Sequence, residues 1–439
     1  MPELSTDICI IGAGPAGMMA AIAAARAGRQ VILCEANREP GRKLRMTGGG
    51  RCNLTNTLDS ARLMAAFGAE GFFMRQALAG MDGTALRQFF SALGVPTRSP
   101  DGIRVFPVSE SAADVLDALT REMARLGVTL LAGARVKSLR LEGRMLRGVE
   151  TEMAGIGKGR QLEDSTCPYN STCPYGAISA RNVIVATGGK SYPESGSTGH
   201  GYVLARAAGH SISPPVPALV PLIAEETWPR DCAGVVLKDA EAWVSMPQRG
   251  HRFRQAARGE LLFTHRGISG PAALDLSRHV SWLLVDHQTV PIRIDLTPNR
   301  DARAWAALID EWQRVHGKKM VRTLLDAYLP GSLAGVICAL AGIKPDAQPA
   351  AVTRPQRQAL AELVTGLPLT ITGTEGFAKA MVTRGGVKLK GIDPATLESR
   401  IVSGLFFAGE VLDLDGPCGG YNLTWAFASG WLAGSSAAR

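Results

Sequence analysis

The 439-residue sequence has no apolar run that reaches the roughly 18 residues of a membrane-spanning helix. It also lacks a signal peptide, because its N-terminus enters a β-branched segment directly, without a basic region or a cleavage site. These absences exclude an integral membrane protein and favour a cytoplasmic one. A chain of this length is long for a single hydrophobic core, so we expect two or three domains.

The eight cysteines are scattered, and none forms a CxxC pair or lies with histidine at metal-ligand spacing. This pattern argues against a metal site and against a redox-active cysteine pair, and favours free thiols. The sequence also has no run of five or six basic residues, although its formal net charge is +9. Because the basic residues are spread along the chain, nucleic acid, an anionic substrate and no special partner all stay open.

A glycine fingerprint near the N-terminus is the feature around which the chain is organised. Ile8 to Ile11 reads as a buried parallel strand, followed by a GxGxxG turn, an Ala-rich helix and a second strand that ends at Glu35. The turn brings backbone N–H groups and a helix N-terminus to a pyrophosphate, and Glu35 lies where a carboxylate binds a ribose hydroxyl. The sequence therefore predicts a dinucleotide site. Its candidate residues are Gly12, Gly14, Pro15, Ala16, Gly17 and Glu35.

The segment from 37 to 56, which follows this second strand, is rich in glycine and in basic residues. This composition predicts irregular structure. Its glycines allow the backbone to approach a ligand closely, and its cations bring positive charge to the same loop. Because it lies directly after the ribose-binding strand, we expect cofactor contact. The candidates are Arg42, Lys43, Gly48, Gly49, Gly50, Arg51, Cys52 and Asn53.

Two later segments are predicted to return to the same edge of the sheet. Val183 to Ala186 and Leu405 to Ala408 read as short buried strands, and each is followed by a glycine turn. The second turn leads into a glycine loop at 416–420 that opens a helix, whose N–H groups can face a flavin pyrimidine carbonyl. Asp413 is expected to face the ribityl chain or the pyrophosphate. The candidates are Ala186, Thr187, Gly188, Gly189, Gly409, Glu410, Asp413, Gly419, Gly420, Tyr421 and Asn422.

The middle of the chain has a different pattern of predicted secondary structure. Residues 60–94 are predicted to be helical, and a strand, an amphipathic helix and a β-meander at 134–150 follow. Prolines 214–221 read as a linker, and the short β-like pieces after them suggest an antiparallel barrel or sandwich. Residues 301–366 are mainly helical. The tandem STCPY repeat at 165–175 reads as a loop or hairpin insertion, for which a disulfide or metal site at Cys167 and Cys173 is a minor alternative.

Five segments together resemble the HI0933-like flavoproteins, a family of FAD-dependent oxidoreductases. They are GAGPAG at 12–17, TGGGRCNLTN at 47–56, ATGGKSYPESGSTG at 186–199, FTHRGISGP at 263–271 and FAGEVLDLDGPCGGYNLTWAFASG at 407–430. The resemblance covers nearly the whole chain and implies FAD as cofactor. It also implies that Val136 is similar to the residue whose backbone meets the adenine in related flavoproteins. The chain departs from the family pattern at His200 and in the STCPY repeat.

The fold class expected from these observations is α/β. A Rossmann-like doubly wound FAD-binding domain would comprise residues 1–200 and 370–439. An inserted β-barrel-like domain would comprise residues 201–300, and a mainly helical part residues 301–369.

The leading functional hypothesis is hydride transfer from reduced FAD to an activated double bond, with a protein group supplying a proton. His265 and Cys52 are the candidate catalytic residues. No second complete GxGxxG follows a strand, so NAD(P)H is expected only as a transient reductant over the flavin. Two alternatives stay open. One is a flavoenzyme that reduces uridine in RNA to dihydrouridine, and the other is a non-catalytic flavin-binding protein. The oligomeric state is left open.

Overall fold

The computed structural model describes residues 4–153, 176–246 and 255–439. The strands are β1 (Leu4–Ile11), β2 (Val31–Glu35), β3 (Thr55–Asn56), β4 (Thr97–Arg98), β5 (Arg104–Pro107), β6 (Thr129–Ala132), β7 (Ala134–Glu142), β8 (Met145–Met153), β9 (Ala177–Val185), β10 (Ile212–Ala218), β11 (Leu222–Ala224), β12 (Val236–Val244), β13 (Ala256–Thr264), β14 (Gly267–Ser269), β15 (Val290–Asp295), β16 (Leu367–Thr374), β17 (Val382–Val387) and β18 (Leu405–Phe407). The helices are α1 (Pro15–Arg26), α2 (Arg42–Met46), α3 (Ser60–Ala66), α4 (Arg75–Gly80), α5 (Gly83–Ala92), α6 (Ala112–Arg125), α7 (His200–Ala207), α8 (Gly270–Leu283), α9 (Ala302–Val315), α10 (Val321–Leu325), α11 (Gly331–Leu340), α12 (Arg354–Gly366) and α13 (Tyr421–Ala437).

These elements form two units, the first comprising residues 1–215 and 382–439 and the second residues 216–381. The first unit is built on a sheet of order β6-β2-β1-β9-β8-β7, with β18 also paired to β9. The pairs β6–β2, β2–β1, β1–β9 and β9–β18 are parallel, whereas β7, β8 and β9 form an antiparallel meander. β1 is buried along Ile8 to Ile11, as its β-branched sequence predicts for a central strand. The α/β Rossmann-type expectation is thus confirmed.

Glycines bring the first and last helices of this unit close together. α13 packs against α1, and a methyl group added at Gly430 or Gly434 would overlap the carbonyl oxygens of Ala16 or Ala20, respectively. The backbones of the two helices therefore approach at a distance that only glycine permits. The C-terminal helix thereby covers the helix that follows the GxGxxG turn.

The second unit is a closed antiparallel barrel of order β11-β14-β13-β12-β15-β16. Its apolar side chains form a core of their own together with helices α8 to α12. Trp305 and Phe263 are among the fully buried residues of this core. The sequence left a barrel and a sandwich open, and the structure has the barrel. The expected helices between 301 and 366 are present as α9 to α12.

Three sequence expectations need correction or adjustment. The expectation of irregular structure at 37–56 was wrong for Thr55–Asn56, which form β3 and pair with β5. It was also wrong for Arg42–Met46, which form α2 because RKLRM consists of straight-chain helix formers and buries Leu44. The prolines at 214, 215 and 217, which were predicted to form a linker, lie in strand β10, within which the first unit ends and the second begins. The first unit extends to residue 215, beyond the expected boundary at 200, because α7 buries Tyr202 and Leu204 in its core.

The STCPY repeat lies outside the described residues, and so do Cys167 and Cys173. In the described ranges, no helix combines the length and the apolarity needed to cross a bilayer.

Candidate functional site

The GxGxxG turn lies against the loop that follows β9. The Gly12 N–H donates to the Cys34 carbonyl (2.8 Å), and the Ala186 N–H donates to the Ile11 carbonyl (2.9 Å). Gly12 has a φ of +101°, and a Cβ there would lie 2.7 Å from the Ala186 carbonyl oxygen, so only glycine suits this position. The structure thus brings together two of the glycine segments that the sequence singled out, 12–17 and 186–189.

The N-terminus of α1 is open at Gly14. Gly14 is the N-cap of this helix, and no atom of the described residues lies within 4 Å of the position that its Cβ would occupy. The N-cap residue has no side chain to accept a hydrogen bond, and the first turn of α1 contains no acidic residue. The positive end of this helix therefore has no side-chain partner among the residues of α1. The turn is therefore suited to an anionic ligand.

Glu35 is buried at the end of β2, directly beside this turn. Its Oε2 accepts a hydrogen bond from the Ala13 N–H (2.8 Å), and its Oε1 accepts from the backbone N–H and the side-chain amide of Asn37 (2.8 Å each). Burial raises the pKa of the carboxyl, against the lowering effect of these N–H donors and of Arg42. A carboxylate accepts about four hydrogen bonds, so acceptor capacity is left for a ribose hydroxyl.

A polar network joins four separate segments of the chain near the turn, and we call it the Lys43 network. The Lys43 ammonium contacts Glu410 Oε2 (2.7 Å) and donates to Ser191 Oγ (2.6 Å). Glu410 Oε1 accepts from the Ser191 hydroxyl (2.7 Å) and from the Thr383 N–H (2.8 Å). Thr383 Oγ1 in turn accepts from the N–H of Lys190 (2.8 Å). The network ties α2, the loop after β9, strand β17 and the turn after β18 to one another.

The sequence did not predict Ser191 or Thr383 as site residues. Ser191 lies two residues after Gly189 of the predicted glycine turn, so its position beside a ligand loop was the available signal. Thr383 had no such signal, because it lies on β17, which the whole of the barrel sequence separates from Lys43 and Ser191.

The TGGGRCNLTN segment and the C-terminal glycine loop also meet. The Asn53 amide, in the orientation that satisfies both its ends, accepts from the Gly420 N–H and donates to the Thr55 carbonyl (3.1 Å each). The Thr55 and Thr424 hydroxyls are 2.7 Å apart. A side chain at Gly420 would overlap the Thr55 backbone, so the strand β3 and the start of α13 are in direct contact. Gly49 and Gly50 have positive φ, and no described atom lies within 4 Å of their Cβ positions.

Asn422 closes the loop before α13 with its side chain. Its Oδ1 accepts from the Gly416 N–H (2.8 Å), and its Nδ2 donates to the carbonyls of Gly416 (2.9 Å) and Pro417 (3.2 Å). The neighbouring Tyr421 ring packs edge-on against Phe67. Asn422 therefore shapes the predicted flavin loop, and its backbone is the part that is available to a ligand.

Two groups close to Glu410 have raised pKa values. Burial raises the pKa of Asp413, as does the neighbouring Asp415, whereas the Ser213 hydroxyl and Arg384 lower it. Burial, followed by the charges of Glu410 and Asp413, raises the pKa of Tyr202, whose phenol is therefore neutral at physiological pH. The surroundings of the turn after β18 thus disfavour additional negative charge on protein groups.

Cys52 and Arg51 lie in the predicted ligand loop but differ in exposure. The Cys52 side chain is 0% exposed, and burial raises its pKa to about 12. A buried, protonated thiol is no nucleophile at neutral pH, and Cys52 packs within the core of the first unit. Arg51 is exposed, with its guanidinium 5.0 Å from the centre of the Phe106 ring.

Val136 and His200 are in direct contact. His200 Nε2 donates to the Val136 carbonyl (2.8 Å), so that carbonyl already has a partner. Val136 is buried on β7, and His200 is the first residue of α7. His200, at which this chain departs from the family pattern, therefore holds the backbone carbonyl of Val136, the residue that the resemblance assigns to the adenine.

His265 belongs to the second unit. It is exposed in the tight turn between β13 and β14. Thr264 Oγ1 holds this turn by accepting from the N–H groups of Arg266 (3.3 Å) and Gly267 (3.1 Å). The turn presents the imidazole to solvent.

The residues around the GxGxxG turn fit the ADP half of FAD. The open position at Gly14 admits a pyrophosphate, the α1 N-terminus matches its charge, and the Glu35 carboxylate is placed for a ribose. All the cofactor candidates of the sequence lie in the first unit. The contacts above join the GxGxxG turn to the loop after β9, and the 47–56 segment to the glycine loop before α13.

The chain is similar to characterised proteins over nearly its whole length. The sequence pattern of the HI0933-like protein Rossmann domain matches residues 6–436. A 3-dehydro-bile acid delta(4,6)-reductase of Clostridium scindens is 34% identical over 438 residues, which cover 98% of this chain and 99% of that protein. A ribosomal RNA dihydrouridine synthase of Haemophilus influenzae is 32% identical over 445 residues, with 100% of each chain covered.

Among solved structures, a 3-ketosteroid-delta4-(5alpha)-dehydrogenase from Rhodococcus jostii RHA1 has a TM-score of 0.52. It is 16% identical, and the match covers 100% of this chain and 98% of that one. At this identity the likeness shows a shared fold.

Proposed function

The chain belongs to the HI0933-like family of FAD-dependent oxidoreductases, and we propose that it reduces an activated carbon–carbon double bond of a small-molecule substrate. The observation that carries this proposal is the meeting of the GxGxxG turn, the loop after β9 and the turn at Gly409 beside the α1 N-terminus, with the Lys43 network joining the last two to α2. The similarity to a reductase of unsaturated bile acids supports an enone as the substrate class.

In this proposal, different segments of the chain bind different parts of the cofactor. Gly14 and the N-terminus of α1 bind the pyrophosphate, and Glu35 binds the adenosine ribose. The turn at Gly409 and the loop that opens α13 hold the flavin half, where backbone N–H groups at the start of α13 stabilise negative charge.

Bound FAD would supply two electrons as a hydride, which adds to one carbon of the double bond while a proton adds to the other. The protein must deliver that proton. The Cys52 side chain is buried in the core of the first unit, whereas His265 is exposed in a tight turn. We therefore propose His265 as the proton donor, on the strength of its chemistry and its accessibility.

The proposal is tested with the purified protein. We expect a visible flavin spectrum that chemical reduction bleaches under anaerobic conditions and that a conjugated 4,6-dien-3-one steroid restores. Product analysis should show one double bond fewer. A colourless protein that cannot be reconstituted with FAD would contradict the proposal. The proposal would also be contradicted if conjugated enones reoxidised the reduced protein no faster than buffer alone does.

A second candidate function is the reduction of uridine in RNA. The net charge of +9 and the similarity to a ribosomal RNA dihydrouridine synthase favour it. The same reduced protein is therefore mixed with ribosomal RNA that lacks dihydrouridine. Formation of dihydrouridine, together with no reaction of any enone, would move the assignment to RNA. If neither substrate reacts, the protein binds flavin without this catalysis.

His265 provides a prediction for the catalytic step. His265→Ala should slow reoxidation of the reduced flavin by the enone by about 100-fold, because general acids typically contribute that much or more. The FAD content should be unchanged, since His265 lies outside the first unit. His287→Ala, which removes another exposed histidine of the second unit, is the matched control and should keep its rate. Equal rates in the His265 variant and the control would assign the proton donor elsewhere.

A further inference from the structure

A cleft of about 600 Å³ lies in the first unit, apart from the GxGxxG turn. One of its walls is formed by residues of the segment after β17, and another by Glu70 and Phe73 from the short helical turn before α4. Ser213 and Asp413 line it as well. The complete lining is Glu70, Phe73, Ser213, Lys388, Leu389, Lys390, Ile392, Pro394, Arg400 and Asp413. None of the lining residues between 388 and 400 is among the cofactor-binding residues predicted from the sequence.

Three cationic side chains lie on the wall formed by the segment after β17. Lys388, Lys390 and Arg400 are all exposed. Arg400 is anchored, since its Nε donates to the Ile392 carbonyl (3.2 Å) and its Nη2 is 3.6 Å from Asp393. Neither lysine has a carboxylate partner among the residues that the structure describes. Their ammonium groups are therefore available to an anion from solvent.

The cleft also reaches the segment that follows β18. Asp413 is one of its lining residues, and only two residues separate it from Glu410 of the Lys43 network. The Asp413 carboxyl is itself occupied by the Ser213 hydroxyl and the Gly385 N–H. A ligand whose phosphates contact the three cations would thus have its other end beside the turn after β18.

We propose that this cleft binds the phosphate groups of a nicotinamide dinucleotide, the reductant that the proposed flavin reaction needs. This inference rests on the proposed function, because it assumes a flavin beside Asp413. Cations in one cleft attract the two or three negatively charged phosphate groups of such a ligand, and arginine and lysine are the residues that bind phosphate. Phe73 adds an aromatic surface on the opposite wall, suited to a base.

The dimensions favour a dinucleotide over RNA. Sites for small molecules and cofactors are clefts of about 300 to 1,000 Å³, and this cleft lies within that range. A polynucleotide is bound along an extended basic surface that follows many phosphates. Here the three cations come from one short segment, 388–400, and two carboxylates, Glu70 and Asp413, share the lining.

The experiment measures binding without turnover. Calorimetry with NADP⁺ and with NAD⁺ is performed on the FAD-loaded protein, at low and at moderate salt. The cleft variant is K388Q/K390Q/R400Q. The control is R314Q/K318Q/K319Q, which removes three exposed cations from the second unit. A third measurement on the unaltered protein uses inorganic diphosphate as competitor, and a fourth uses a short single-stranded RNA as ligand.

We expect the cleft variant to weaken binding of the tighter dinucleotide at least 10-fold, while the control changes it less than 2-fold. Diphosphate should displace the dinucleotide, and the FAD content of both variants should equal that of the unaltered protein. Equal affinity in the cleft variant, equal losses in both variants, or no dinucleotide binding by the unaltered protein would each overturn the inference. So would RNA binding that requires the three cations while dinucleotide binding does not. An unaltered protein without FAD would instead refute the proposed function.

Discussion

Gly14→Ala is expected to weaken FAD binding by about 10- to 100-fold and to leave the fold intact. Gly14 has a φ of −82°, which alanine adopts freely, and no described atom lies near the position of the added methyl group. The methyl group instead fills the space that we assign to the pyrophosphate, and overpacking of this kind costs about 1–3 kcal/mol. Fluorescence titration of the apoprotein with FAD measures the affinity, and thermal unfolding of the same apoprotein measures the stability.

Gly17→Ala is the contrasting variant. A methyl group at Gly17 would overlap the Gly12 carbonyl oxygen, which belongs to the backbone and cannot rotate away. This variant should therefore lose stability as an apoprotein, and its FAD binding should fall only as a consequence. If Gly14→Ala binds FAD as tightly as the unaltered protein does, the pyrophosphate is not held at this turn. If both variants are equally unstable as apoproteins, the added methyl group at Gly14 contacts the protein itself, and the position is not one that a ligand fills.

A double-mutant cycle on Lys43 and Glu410 should give a coupling free energy of about 1–2 kcal/mol. The two side chains are only 21% and 22% exposed and their charged atoms are 2.7 Å apart, so each single change leaves a partly buried charge without its partner. Lys43→Met should destabilise the apoprotein more in the presence of Glu410 than in the Glu410→Gln background. FAD release should be faster in either single variant, because the network joins the loops that hold the cofactor. Denaturant unfolding of the four proteins measures the coupling.

The matched control is the pair formed by Arg62 and Asp59. These residues are 76% and 62% exposed and lie 3.6 Å apart, and exposed pairs are worth about 0–1 kcal/mol. The cycle R62M, D59N and R62M/D59N should therefore show a coupling well below that of the Lys43 pair. Couplings of the same size in both cycles would mean that the Lys43 network contributes no more than a surface ion pair does.

The sequence predicted those parts of the fold that depend on short-range patterns. The β-branched run at Ile8 to Ile11 and the glycines at 12, 14 and 17 determine a strand, a turn and a helix within twenty residues. The helix α6 was equally readable, because its buried residues recur with helical spacing and Ser111 caps it. In contrast, RKLRM at 42–46 was hidden by the glycines on both of its sides.

Contacts between distant segments could not be read in the same way. Lys43 and Glu410 were each predicted to touch the cofactor, but no local pattern indicates that they touch each other across 366 intervening residues. Thr383 was missed for the same reason. The closure of the barrel depends on β11 pairing with both β14 and β16, and a sandwich would have had the same alternation of residues.

The packing of α13 on α1 has a consequence for synthesis of the chain on the ribosome. At the usual 5–20 residues per second, roughly 20 to 85 s separate the emergence of β1 from that of Gly430 and Gly434. The barrel sequence is complete within that interval, since β16 ends at Thr374 and precedes β17, β18 and α13. We therefore expect the inserted unit to fold first during translation, while the glycine-facing side of α1 stays uncovered until the last helix arrives.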